Sequence, residues 1–153
     1  MVTVSTSTER IRSLLLALVL FGAAGLVLEL VLQEHYESPW QWAPLVVLAA
    51  ALATGSVAWR RPGSRTLGAF RAVMVLCLVA GVVGVVLHLK GNLEFALERD
   101  PELTGLALIW KCLRGATPAL APGAMAQLGL LGLVYTYRHP ALARGAYPDP
   151  EIV

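Results

Sequence analysis

Residues 13–32 read SLLLALVLFGAAGLVLELVL, a run of 20 in which Glu29 is the sole formal charge. As a helix rising 1.5 Å per residue it is about 30 Å long, the thickness of a bilayer's hydrocarbon core. Arg10 and Arg12 precede it, and Gly22-Ala23-Ala24-Gly25 resembles a leader-cleavage region. The apolar residues nevertheless continue from Leu26 to Leu32, further than the core of a secretory leader extends. The run therefore predicts a retained membrane anchor.

Three further stretches share its character: Trp42–Trp59, Ala72–Leu89 and Ala116–Tyr137, none with a formal charge. No period-two alternation runs through them, so a β-barrel is not expected. The expected fold is all-α, an integral membrane four-transmembrane-helix bundle over residues 13–137. Residues 1–12, with Ser and Thr clustered at 3–8, are expected to form a flexible cytoplasmic amino terminus. Residues 138–153, with Pro140, Pro148 and Pro150, are expected to form an extended cytoplasmic tail.

Composition agrees. Of 153 residues, 57% are hydrophobic and 14% charged, with a mean hydropathy of +0.67. Soluble domains carry about 25% charged residues, so a soluble enzyme and a disordered regulator are excluded as first readings. The net charge of +2 is too small for a nucleic-acid surface. Cys77 lies within an apolar run and Cys112 in a connecting segment, with no CxxC, so no disulfide is expected.

Basic residues set the expected orientation. Arg10, Arg12, Arg60, Arg61, Arg65, Arg71, Arg138 and Arg144 fall on one side of the four spans. The other side holds Lys90, Arg99, Lys111 and Arg114, outnumbered by six carboxylates. The positive-inside rule then puts both termini in the cytoplasm, and the bacterial inner membrane is the expected location. Trp40, Trp42 and Trp110 fit an outer aromatic belt; Trp59, Tyr135 and Tyr137 fit an inner one. In the outer loop, residues 90–115, Leu103, Leu106, Ala107, Trp110 and Leu113 recur at near-helical spacing beyond Pro101. They predict a short interfacial helix.

Polar chemistry concentrates at the outer end. Gly22, Gly25 and Glu29 follow i, i+3, i+7, and Gly81, Gly84 and His88 repeat the pattern on the third span. An isolated carboxylate in hydrocarbon is costly, so Glu29 and His88 are expected to face the bundle interior within reach of one another. His35, Glu94 and Glu98 are expected to close over that mouth from the loops, with Asn92 adding an amide oxygen. The donor set suits a divalent transition-metal ion such as Zn²⁺, Cu²⁺ or Mn²⁺, or iron. Against it, no HxxxH, HExxH or ExxH spacing binds these residues together. Lys90 pairing with Glu94 or Glu34, and His88 with Glu29, would make the same cluster purely structural. Haem on His35 and His88 is a further option, weakened by the solvation of His35 beside Glu34 and Glu37. Gln127, deep in the fourth span, is expected to bond across to another helix. Pro118 and Pro122 are expected to distort the start of that span.

Without a nucleophile–base pair, Walker loop or dinucleotide fingerprint, the expected function is a non-catalytic subunit or accessory of a membrane assembly. A homo-oligomer or other membrane subunits would be its partners, besides the lipid bilayer. A small proton or metal-ion channel and a metal- or haem-dependent membrane enzyme are the alternatives. Single cysteines in place of Ser5, Glu37, Ser64, Arg99 and Pro148 test the orientation in intact cells. Positions 37 and 99 are expected to react with an impermeant maleimide and the rest to stay protected; outward labelling at 64 overturns it.

Overall fold

The computed structural model of the chain describes residues 2–144. Among them every regular element is helical: α1 (Val2–Leu32), α2 (Trp42–Arg60), α3 (Ser64–Arg99), α4 (Gly105–Leu113), α5 (Gly123–Thr136) and α6 (Pro140–Arg144). A turn of 3₁₀ helix at Pro39–Gln41 leads into α2. Three helices, α1, α2 and α3, are long and apolar enough to cross a membrane.

The fourth apolar stretch behaves differently from expectation. Helix begins only at Gly123, so α5 has 14 residues, about 21 Å, rather than the expected span from Ala116. Prolines are the reason. A helix through this stretch would need an amide hydrogen at Pro122 to reach the Pro118 carbonyl, and proline has none. The chain instead descends through short turns, Ala121 N–H to Pro118 O at 3.2 Å and Gly123 N–H to Leu120 O at 2.9 Å.

Two segments expected to be irregular are helical. Residues 2–12 continue α1 upstream. Lys90–Arg99, assigned to the outer loop, prolongs α3 to 36 residues, about 54 Å and well beyond the hydrocarbon core. Nothing in that stretch breaks a helix until Pro101, and Lys90 pairs with Glu94 at i, i+4 across 3.6 Å. The proline-rich tail starts with the short helix α6; beyond Arg144 it lies outside the described residues.

Tight caps turn the chain between helices. After α1, His35 N–H reaches Leu30 O and Glu34 N–H reaches Val31 O, closing the helix end with Glu34 at φ 54°. Between α2 and α3 only Arg61, Pro62 and Gly63 intervene, and the Thr66 hydroxyl accepts from the Gly63 amide at 2.9 Å. Connections this short make neighbours antiparallel. The helices close a ring, α1 on α2, α2 on α3, α3 on α5 and α5 on α1, leaving α1 and α3 diagonal. Arg12 fastens the ring at one end, its guanidinium donating to the Tyr137 and Arg138 carbonyls at 3.2 and 3.0 Å. A cation there also complements the partial negative charge at the end of α5.

Side-chain sizes are distributed inside out. Ala23, Ala51, Gly55, Ala58, Gly81, Gly129 and Gly132 are buried, whereas Leu14, Leu18, Phe21, Val82, Val86 and Leu87 are exposed, Phe21 by 80%. Large apolar groups facing outward suit a lipid solvent, and small ones facing inward let backbones approach. Phe70, Met74 and Tyr135 pack toward the end that Arg12 fastens, with Tyr135 edge-on to Phe70 at 5.7 Å. Tyr135 thus belongs to the core and not to an aromatic belt. Trp59 and Tyr137 are exposed.

The α3–α5 seam is the closest. A methyl group on Gly129 would lie 2.6 Å from Met74 O and from Leu78 N, both backbone atoms that cannot step aside. Gly68, on the outside of α3, has open space. Gly129→Ala is therefore expected to cost about 1–3 kcal/mol. Gly68→Ala should be neutral or stabilising by up to about 1 kcal/mol, since glycine is a poor helix former. Thermal unfolding of both variants in detergent measures the contrast.

Candidate functional site

At the end of the ring away from Arg12, α3 overshoots, α4 packs back against α3, and residues 114–122 lead into α5. Asn92 organises it. Its side chain is 2% exposed. The amide nitrogen donates to Cys112 O at 2.9 Å and Thr117 O at 2.8 Å. The amide oxygen accepts from the Thr117 backbone N–H at 3.1 Å and the Thr117 hydroxyl at 2.9 Å. All four hydrogen-bonding positions of the carboxamide are used. Gly115 lies so close that a β-carbon there would overlap the Asn92 side chain.

One turn earlier on the same face of α3, His88 Nδ1 sits 3.1 Å from Pro118 O. A carbonyl can only accept, so Nδ1 carries the proton. This is the carbonyl that Pro122 cannot reach. His88 and Asn92 together hold the backbone between α4 and α5, while Gly84 makes room for the Pro122 ring, which a β-carbon would approach to 2.7 Å. The glycine–histidine stripe read from the sequence is real, but it faces the Pro118–Pro122 segment rather than Glu29.

Glu29 itself is exposed, and its carboxylate accepts from the Gln33 amide at 3.1 Å. Gly25, one turn before it, has nothing within 4 Å. The expectation that Glu29 faces the interior is therefore corrected: Gly22 meets Leu128, but a further seven residues along the helix carry Glu29 past the shorter α5 packing surface. Glu94 is exposed and paired with Lys90; Glu98 is exposed. His35 is partly buried, and its pKa is lowered first by that burial and then by the charge of His88. The two histidines thus sit in the same neighbourhood. Among the described residues no group of three or more His, Cys, Asp and Glu side chains is placed to hold a metal ion. Cys77 and Cys112 are both buried and free.

Gln127 also departs from expectation. Although its neighbour Ala126 packs against Gly81 at the midpoint of α3, Gln127 does not turn toward another helix of the bundle. It is exposed, and among the described residues its side chain has no hydrogen-bond partner. Asn92 was legible in sequence only as a spare oxygen. Its spacing of four from His88, facing a segment whose prolines interrupt the helical ladder, is the signal that marks it as a clamp.

Replacing Asn92 by Leu strands Thr117 O and the Thr117 amide and leaves Cys112 O with the Gly115 amide alone, so about 3 kcal/mol should be lost. Asn92→Asp should fail too, because its carboxylate would face two carbonyls. Proteolysis between residues 112 and 118, followed alongside thermal unfolding, should accelerate in both variants.

Set against known protein families, curated proteins and solved structures, the chain matches none.

Proposed function

We propose that this chain is a non-catalytic subunit of a larger assembly in the cytoplasmic membrane, both termini inside, joined to other membrane helices through the outer surface of α1 and α5. The observation that carries the reading is Gln127: a carboxamide on an apolar helix, exposed, with no partner in its own chain among the described residues. Within a bilayer such a group is satisfied by another helix. Glu29 supports the same reading, being exposed near the end of α1 and met only by Gln33. Gly25, open and one turn away, leaves room for a second helix to approach closely. The other buried or half-buried polar groups, Asn92 and His88, are spent on the chain's own backbone.

Gly25→Cys provides the test, since the native cysteines are buried. Treating native membranes with a bifunctional maleimide should trap an adduct with a second copy or another membrane protein. Gln127→Leu combined with Glu29→Gln should lower its yield about three- to tenfold per lost interhelical hydrogen bond. A chain that remains a 16.3 kDa species in membranes, and monomeric in mild detergent, overturns the proposal.

A further inference from the structure

On α4, Leu106, Ile109, Trp110 and Leu113 follow i, i+3, i+4, i+7 and are all exposed, Leu106 by 83%. The helix packs on α3 through its other side, where Cys112 is buried. At 100° per residue, Lys111 and Arg114 fall on the flank between the exposed stripe and the packed side. That flank borders a cavity of about 230 Å³ whose lining includes Asn92, Phe95, Ala96, Lys111, Arg114 and Gly115. No carboxylate lines it. Among the described residues the only ion pair is Lys90–Glu94, so neither cation is neutralised there by the chain. Arg114 instead lies over the Trp110 ring, 5.7 Å from its centre.

We propose that this cavity binds the phosphodiester of an anionic glycerophospholipid, its acyl chains lying along the exposed stripe of α4 and the neighbouring surface of α3. Three features select this occupant. Two unpaired cations beside one cavity complement a phosphodiester and disfavour a headgroup with its own ammonium. Phe95, on the cavity wall, is itself 45% exposed, so acyl chains leaving the cavity meet apolar surface there and along the α4 stripe. The Trp110 ring is placed as interfacial tryptophans are, apolar on one side and polar on the other. A free phosphate would use the cations but leave the stripe without a role. The site stands whether or not the chain has protein partners, because it lies on α3 and α4 and does not involve Glu29 or Gln127.

Delipidated protein in mild detergent is titrated with dioleoyl phosphatidylglycerol, dioleoyl phosphatidylcholine and inorganic phosphate. Binding is read by native mass spectrometry and by the rise in Tm. Phosphatidylglycerol should bind and stabilise, with the other two weaker by at least tenfold. Lys111→Gln with Arg114→Gln should weaken phosphatidylglycerol about thirtyfold, the worth of two basic groups at a membrane surface. Lys90→Gln, which removes a cation outside the cavity, should leave it unchanged. Both cations are exposed, so folding of the double variant is checked by an unaltered Tm without lipid. Equal affinity for the two lipids, or undiminished binding by the double variant, overturns the assignment. Inorganic phosphate binding as tightly as the lipid makes the cavity a free-anion site, and a membrane protein held by the α4 stripe with no lipid response makes it a protein surface. Either result overturns it as well.

Discussion

Backbone polar groups inside or beside a bilayer need partners, and Pro122 has no amide hydrogen to continue a helical ladder onto the Pro118 carbonyl. Much of this end of the molecule follows from that deficit. The chain cannot enter α5 as a full-length spanning helix, so it descends in turns whose carbonyls are braced from the side. Only α3, prolonged beyond the hydrocarbon, is tall enough to meet them. It does so with His88 on Pro118 and Asn92 on Cys112 and Thr117. The glycines below bring the two elements into contact: Gly81 and Gly84 against Pro122 and Ala126, Gly129 and Gly132 against Met74. The seam is small-residue packing through its length and a polar clamp at its top.

This use of the glycines bears on association. Gly81, Gly84, Gly129 and Gly132 are small enough to seat other helices, but the chain's own α3–α5 seam consumes them. Outside lie Gly25 on α1 with Glu29 above it, Gly68 and Gly91 on α3, and Gln127 on α5. The polar residues in apolar helices therefore divide into two groups. Those on α3, His88 and Asn92, bond to the chain's own backbone. Those on α1 and α5 point outward, where other membrane components would complete them.

The helical class and the first three spans were legible because hydrophobic run length and bilayer thickness are one-dimensional quantities. α4 was legible for a related reason, since Leu106, Trp110 and Leu113 carry the helical period in nine residues. Positions where local rules compete were not. Lys90–Arg99 is polar enough to read as loop, yet it has no breaker before Pro101 and α4 packs against it, so it stays helical. Ala116–Gly123 is apolar enough to read as helix, yet Pro118 and Pro122 forbid the ladder.

Glu29 and His88 mark the boundary most sharply. Sequence alone determined that each lies near the end of its apolar run, seven residues beyond the first of two glycines, because helical rise and period are local properties. It could not determine which neighbour each glycine stripe would face. That depends on the order of helices around the ring and on the length of α5, both products of packing and of the proline-interrupted descent. Tertiary structure put the Pro118 carbonyl opposite His88 and left Glu29 with its local i+4 neighbour, Gln33. Two groups that matched in register thereby took unrelated partners, since a side chain bonds with what the packed backbone brings within about 3 Å.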